Sequence, residues 1–206
     1  MKNLYLIIIF LFLAGNMFSQ EAYLGFGPNQ TTFDYTNSQG QDNDGIVGES
    51  GIHFEGGYYQ STSLSNLKLA YAITFDQFNA TGGDELNDYS WKTNYFGLQG
   101  GVRYGLIEAD RGSDFALFIS GGATLKKLLS GTQKINGQTF DLNQEPEFNG
   151  LFKGLYFGVE GRYTITNQIG VGLGYTYSLN YGSTQQDQTL HINSGAIVLK
   201  VFSAFY

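Results

Sequence analysis

Few residues in this chain have the types and spacing that catalysis or metal binding requires. The two histidines, His53 and His191, are far apart in sequence and form no recognisable ligand motif. A nucleophile elbow, a phosphate-binding loop followed by a helix and an HExxH motif are all absent. Cysteine is absent, which excludes disulfides, Cys-ligated metals and a lipid-anchored lipoprotein. The sequence therefore predicts no catalytic residue, no cofactor site and no metal site.

Two groups of charged residues still invite a chemical interpretation. Glu160 and Arg162 share one face of a predicted strand, as an acid–base pair would. We favour a salt-bridge network instead, because an unpaired buried charge is costly. The segment Asp42-Asn43-Asp44-Gly45 resembles half of a calcium loop, but the acidic ligand that should follow it is missing at the required spacing, so it is interpreted as a polar turn.

The composition is unusual for a soluble domain. Charged residues make up 14% of the chain, against about 25% in typical soluble proteins. Aromatic residues reach 16%, and there are 29 glycines. The net charge of -7 and the lack of a basic stripe argue against nucleic acid as a partner.

The first residues have the features of a secretory signal peptide. Lys2 supplies the positive charge, and Leu4 to Ala14 form an apolar run too short for a spanning helix. We predict cleavage after Ser19, which divides the chain into a signal peptide (1–19) and one domain (20–206).

Beyond the signal peptide the dominant hydrophobic period is two, which indicates strands. In Ile169 to Asn180, for example, large apolar residues alternate with Gly, Thr and Ser. Eight such segments are predicted, at about 22–35, 49–60, 66–78, 92–106, 114–128, 150–164, 168–180 and 189–205. We expect a bulge or break at Pro28, because proline removes a ladder donor. We expect a second bulge near Ser194-Gly195, because the apolar parity changes along the last strand.

The connections alternate between long and short. Four long polar links, 36–48, 79–91, 129–149 and 181–188, alternate with three tight ones, 61–65, 107–113 and 165–167. Outer-membrane barrels show this pattern, with short periplasmic turns and longer external loops. The predicted fold is therefore all-β, an eight-stranded antiparallel up-and-down transmembrane β-barrel with both termini in the periplasm.

The two faces of each strand differ in residue size and charge. The face rich in Gly and small residues suits the crowded interior of an eight-stranded barrel, whereas the large apolar face suits lipid. Aromatic residues near strand ends are interpreted as girdles at the membrane surface, Tyr23 and Trp91 among them. Charged residues of both signs are predicted to pair in the interior as a network, namely His53, Glu55, Lys68, Asp76, Arg103, Lys126, Glu160 and Arg162.

Three segments give the chain a resemblance to a known family. They are the hairpins YFGLQGGVRYGL and LYFGVEGRYTITNQIGVGLGYTYSL and the final strand ending Val201 to Tyr206. The whole mature chain resembles the small eight-stranded, porin-like outer-membrane β-barrels of Gram-negative bacteria. The resemblance implies a monomer in outer-membrane lipid, inserted by the barrel-assembly machinery, which reads a terminal aromatic. Phe205 and Tyr206 both qualify as that assembly signal.

The sequence leaves several functions open. The favoured one is a non-enzymatic membrane barrel whose four loops meet an unknown extracellular partner. Some barrels that it resembles are lipid A-modifying enzymes, which suggests His191 with Ser194 at the outer end of the last strand. Ser194, however, is expected on the opposite face. A passive small-solute pore and a soluble lipocalin-like binder also remain open.

Overall fold

A computed structural model describes residues 20–36, 45–83, 87–107, 114–182 and 189–205 of the chain. The predicted signal peptide lies outside these residues. The strands are β1 Gln20–Thr36, β2 Ile46–Ser61, β3 Leu67–Gly83, β4 Asp88–Ile107, β5 Phe115–Ile135, β6 Gln138–Asp141, β7 Leu151–Thr164, β8 Ile169–Tyr181 and β9 Thr189–Phe205. A 3-10 turn, Leu142–Gln144, and a one-turn helix, α1 Pro146–Asn149, follow β6.

Eight of these strands close into an antiparallel barrel. Each pairs with its neighbours in chain order, and β1 closes the ring against β9, with Gln20 opposite Phe205. The short strand β6 lies outside the ring and pairs only with the end of β5. The predicted eight-stranded antiparallel barrel is therefore confirmed. Below, "termini end" denotes the end with Gln20 and Phe205, and "loop end" the opposite one.

At the loop end three strands run further than predicted. β3 continues to Gly83, β4 begins at Asp88 and β5 continues to Ile135. Much of the polar sequence assigned to loops is therefore strand. Polar residues suit strands here because their outward faces meet water and not lipid.

The segment after β5 folds back on itself. Asn136 and Gly137 both have positive φ angles, 49° and 84°, as a two-residue type I′ hairpin turn requires. The turn pairs β5 with β6 from Ile135 to Thr132. The chain then carries Leu142 and Phe148 back into the barrel mouth, where both are buried.

Replacing Gly137 by alanine should open this hairpin, because its φ of 84° disfavours any side chain. For Gly137→Ala we expect the β5–β6 hairpin to lose about 1 kcal/mol of local stability. Trypsin should then cleave after Lys134 roughly fivefold faster. Gly100→Ala is the matched control, since an added Cβ meets nothing within 4 Å at either site. Equal cleavage rates for the two variants would contradict the turn assignment.

The amphipathic pattern of the strands reverses partway along the barrel. In β4, Phe96, Leu98, Val102 and Tyr104 point outward and are exposed. Nearer the loop end the outward residue Lys92 is exposed, whereas Trp91 and Tyr95 point inward and are buried. β1 repeats the change, from exposed Leu24 and Phe26 to exposed Gln30, Thr32 and Asp34. Only the part nearer the termini end therefore has an apolar outer belt.

The apolar belt has the height expected for a membrane. From Phe96 to Tyr104 the strand makes eight steps of about 3.3 Å, which at a tilt of about 40° gives roughly 20 Å. Outer-membrane barrels carry an apolar band of about 25 Å. Among the described helical segments, no helix is long and apolar enough to cross a membrane.

The predicted break at Pro28 is present, whereas the predicted bulge near Ser194-Gly195 is not. Gly27 and Pro28 have no partners in the β1–β9 pairing, although β1 keeps the same register against β9 on either side of them. β9 keeps one register throughout, with Leu190, Ile192 and Val198 all buried inside. The change of apolar parity along β9 therefore does not mark a bulge. It arises because the apolar residues of β9 point outward in the belt and inward nearer the loop end.

Register shifts do occur elsewhere in the barrel. One lies in the β2–β3 pairing between Glu49 and His53. Another lies in the β4–β5 pairing between Asn94 and Tyr95. These two lie on the loop-end side of the apolar belt. A third lies at the termini end, in the β4–β5 pairing between Gly105 and Ile107.

Candidate functional site in the barrel interior

The interior within the apolar belt contains a chain of alternating acidic and basic side chains. All eight residues of the predicted charge network point inward there. Six are buried, and Lys68 and Arg162 are half-buried. Below, "interior network" means these eight residues together with Glu21 and Lys200.

Asp76 anchors the end of the interior network nearest the loop end. His53 Nδ1 lies 2.7 Å from Asp76 Oδ1, and Thr74 Oγ1 donates to Asp76 Oδ2 at 3.0 Å. Lys126 Nζ donates to the same Oδ2. His53 lies on β2, Asp76 on β3 and Lys126 on β5, so the Lys126 side chain crosses over β4 to reach Asp76. Gly97 on β4 leaves room for the aliphatic part of that side chain. A Cβ at Gly97 would lie 3.2 Å from Lys126 Cγ.

Lys200 joins the central carboxylates. Its Nζ lies 2.8 Å from Glu55 Oε1 and 3.1 Å from Glu160 Oε2. Glu55 Oε2 in turn lies 3.8 Å from His53 Nε2, which connects the centre to Asp76. Glu160 also accepts a hydrogen bond from Arg103 Nη2.

Glu21 closes the network at the termini end. Arg162 Nη1 donates to Glu21 Oε1, and Arg103 Nη1 lies 3.5 Å from the same oxygen. Lys68 Nζ lies 3.7 Å from Glu21 Oε2. One acidic side chain on β1 thus gathers cations from β3, β4 and β7 across the interior.

Aromatic rings complete the packing around Arg103. Its guanidinium carbon lies 4.2 Å from the centre of the Tyr59 ring and 3.5 Å from that of Phe118. Such cation–π contacts strengthen when water is excluded. Tyr59 stacks on Tyr23 at 4.8 Å between ring centres. Tyr23, predicted to lie in a membrane-surface girdle, is therefore buried in the interior.

Glu21 and Lys200 were missed as members of the network. Each shares the inward parity of its strand, Glu21 with Tyr23 and Lys200 with Val198. The period-two alternation of β1 and β9 could have predicted both, because it places Glu21 and Lys200 on the face opposite the lipid-facing residues. With both included, the four carboxylates face five Lys or Arg side chains together with His53.

The network leaves little free space. A cavity of about 20 Å³ lies between Tyr23, Glu55, Tyr156 and Lys200, which is room for about one water molecule. At this level the described interior is filled by side chains.

Nearer the loop end the interior is apolar and aromatic. The buried cluster there comprises Phe33, Phe78, Ala80, Trp91, Tyr95, Leu128, Leu142, Phe148, Phe152, Leu190 and Ile192. Tyr95 packs edge-on against Phe152 and donates a hydrogen bond from its hydroxyl to the Phe148 carbonyl at 3.2 Å. A small, charge-filled face was expected throughout the interior. Large rings occupy this part instead, because its outward face meets water and its apolar residues must turn inward.

The residues considered for catalysis or cation binding are not brought together. His191 is half-buried and packs edge-on against Tyr181, with ring centres 4.9 Å apart. Ser194 points inward on the opposite parity, as expected, and is buried. Asp42, Asn43 and Asp44 lie outside the described residues. The described residues hold no cluster of three or more His, Asp or Glu side chains that could bind a metal ion.

Phe205 and Tyr206, the two candidates for the assembly signal, lie at the limit of the described residues. Phe205 is the last described residue of β9, without a described side chain, and Tyr206 lies outside the described residues. Their role as an assembly signal therefore stays a prediction.

Comparison with known proteins identifies the architecture. A sequence model of the outer membrane protein beta-barrel domain matches residues 6–202. The chain belongs to this family. An outer-membrane β-barrel accounts for the exposed belt of Leu, Ile, Val and Phe, and a soluble lipocalin-like binder is excluded.

Solved structures of other outer-membrane proteins are similar to this chain at low sequence identity, and one of them, OprG, shares its fold. The outer membrane protein OprG from Pseudomonas aeruginosa is 8% identical, with 90% of this chain and 96% of that chain covered and a TM-score of 0.58. Neisserial surface protein A is 14% identical over 89% and 97% of the two chains, with a TM-score of 0.47. The attachment invasion locus protein Ail of Yersinia pestis is 13% identical over 90% and 98%, with a TM-score of 0.42. No curated protein sequence gives a significant match.

Proposed function

We propose that this outer-membrane β-barrel protein is a non-enzymatic membrane anchor that presents its loop end to the cell exterior. The filled interior carries this proposal. Inside the part of the barrel that carries the apolar belt, ion pairs fill the interior from Glu21 at the termini end to Asp76 nearer the loop end. The aromatic cluster fills the interior beyond Asp76. Such a barrel is a rigid support in the membrane and conducts poorly.

The proposed orientation places both termini in the periplasm. The termini end has the short link 62–66 between β2 and β3 and the link 165–168 between β7 and β8. The loop end has the β6 hairpin and α1. Short periplasmic turns and longer external segments are the usual arrangement in outer-membrane barrels. The proposed partners are outer-membrane lipid, the barrel-assembly machinery through Phe205 or Tyr206, and an extracellular partner of unknown identity.

Two cell experiments test location and orientation. The protein should fractionate with the outer membrane and run as a heat-modifiable band on unboiled gels. Trypsin added to intact cells should cleave after Lys134, which is exposed at the loop end. Protection of Lys134 in intact cells, with cleavage only after lysis, would contradict the orientation.

A planar bilayer tests the filled interior. We expect no large, stable conductance from the purified protein, because the ion pairs span the interior and the cavity between Glu55 and Lys200 is only about 20 Å³. The control is a porin of known conductance reconstituted in the same way. Stable conductance steps of porin size would overturn the proposal in favour of a solute pore.

A further inference from the structure

A cavity of about 260 Å³ lies in the barrel mouth, and four residues of the aromatic cluster are among those that line it. It is lined by strands β1, β2, β4, β5 and β9 and by helix α1. The lining rings are those of Phe33, Tyr35, Tyr89, Trp91 and Phe148. Ile46 and Leu190 add apolar surface, and Gln133 and Glu147 are its polar lining residues. For comparison, an engineered apolar cavity of about 150 Å³ is large enough to bind benzene.

The Glu147 carboxylate sets the electrostatics of this cavity. Glu147 is half-buried, and no ion pair joins it to a Lys, Arg or His of the described chain. It lies close to Tyr35, whose pKa is raised by burial and by the charge of Glu147. This contrasts with the interior network, where every carboxylate has a cationic partner.

The surrounding sequence adds negative charge. The described segment 136–150, which contains α1 and contributes two residues to the cavity lining, has no Lys, Arg or His. Its acidic residues are Asp141, Glu145 and Glu147. A concentration of one charge sign around a cleft raises the local concentration of ions of the opposite sign.

Aromatic rings and a carboxylate together select one ligand class. Ring faces attract cations, and cages of several rings recognise methylated ammonium groups, which are apolar on their surface and positively charged. A metal ion or a protonated simple amine would lose more hydration on entering such a cavity. A neutral apolar molecule would fit the rings but would gain nothing from Glu147.

We propose that the barrel mouth is a binding site for a small methylated ammonium compound, held by the rings of Tyr35, Tyr89 and Trp91 and by the Glu147 carboxylate. The occupant is a soluble cation and not a lipid head group, because the lining residues lie on the loop-end side of the apolar belt. This site is additional to the anchor role, and the barrel could serve as an anchor without it.

The chain contains its own probe, since Trp91 is its one tryptophan. The protein is refolded in a maltoside detergent, which lacks an ammonium head group, and titrated with benzyltrimethylammonium. We expect a saturable change in Trp91 fluorescence. The neutral isostere neopentylbenzene should bind at least tenfold more weakly. Choline should compete for the site, whereas lysophosphatidylcholine below its micellar concentration should not.

Two glutamine substitutions distinguish binding by the Glu147 carboxylate from a general effect of negative charge. Glu147→Gln should weaken benzyltrimethylammonium binding by about tenfold and leave binding of the neutral isostere unchanged. Glu145→Gln is the matched control, since Glu145 is exposed two residues earlier and does not line the cavity. It should bind like the unaltered protein. A heat-modifiable band establishes that each variant is folded.

Three results would overturn the proposal. One is the absence of saturable fluorescence change with any of the compounds in folded protein. Another is equal affinity for the cation and its neutral isostere, unaffected by Glu147→Gln, which would indicate an apolar pocket without charge selection. The third is tighter binding of lysophosphatidylcholine than of choline, which would assign the site to lipid. None of these results would alter fractionation or conductance, which test the anchor role separately.

Discussion

Asp76→Ala should lower the free energy of unfolding by about 3–5 kcal/mol, because it leaves the buried Lys126 ammonium without a partner. Asp76 and Lys126 are 2% and 1% exposed, and Asp76 also accepts the Thr74 hydroxyl. The measurement is urea unfolding of the refolded barrel in phospholipid vesicles, followed by gel mobility.

Two further variants determine whether the effect comes from unpaired charge. Asp34→Ala removes an exposed carboxylate that accepts a hydrogen bond from Asn193 at 3.0 Å, and should change stability by less than about 1 kcal/mol. In Asp76→Ala/Lys126→Met the buried cation is gone, so most of the loss should be recovered. A double variant no more stable than Asp76→Ala would show that packing, and not charge pairing, is what Asp76 provides.

Leu98→Arg should destabilise the barrel by about 2 kcal/mol in vesicles, the lower end of the range for an Arg at the membrane midplane, because Leu98 lies between the middle of the apolar belt and its loop-end edge. Leu98 points outward from β4 and is 51% exposed, so the added side chain would meet lipid without any clash inside the barrel. Urea unfolding in vesicles measures the difference.

The control for Leu98→Arg is the same change four residues away. Asn94 also faces outward on β4, where it donates to Ser130 Oγ at 3.0 Å, on the loop-end side of the belt. Asn94→Arg should cost no more than about 1 kcal/mol, as for positions near the membrane surface. Equal costs at the two positions would mean that the belt does not end between them.

The fold could be predicted from sequence because alternation along a strand and the order of turns are both local. In β8 and β7 the outward residues, such as Leu173 and Phe157, are those that the period-two pattern selected. The prediction was wrong where the solvent outside the barrel changes. Trp91 was assigned to a membrane-surface girdle, and Leu190 and Ile192 to a bulged strand. All three point inward, because water and not lipid lies outside the barrel at that height.

The interior could be predicted less completely. Inward charges such as Arg103 and Glu160 follow from strand parity, which is local. Their partners do not, because Glu21 reaches Arg162 across the interior from a strand that is not its neighbour. Predicting the mouth cavity from the sequence would require still more information. Phe148 and Glu147 reach it only because the Asn136-Gly137 turn and α1 return the chain to the barrel.

The barrel has two parts, one surrounded by lipid and one by water, and spin labels along β1 can distinguish them. The chain has no cysteine, so single cysteines at Leu24, Phe26, Gln30 and Thr32 can each carry a label in vesicles. The labels at 24 and 26 should collide mainly with oxygen, which dissolves in lipid. Those at 30 and 32 should collide mainly with a water-soluble nickel complex. Oxygen accessibility that stays equally high at 30 and 32, or nickel accessibility that dominates at 24 and 26, would mean that the barrel is not divided between lipid and water in this way.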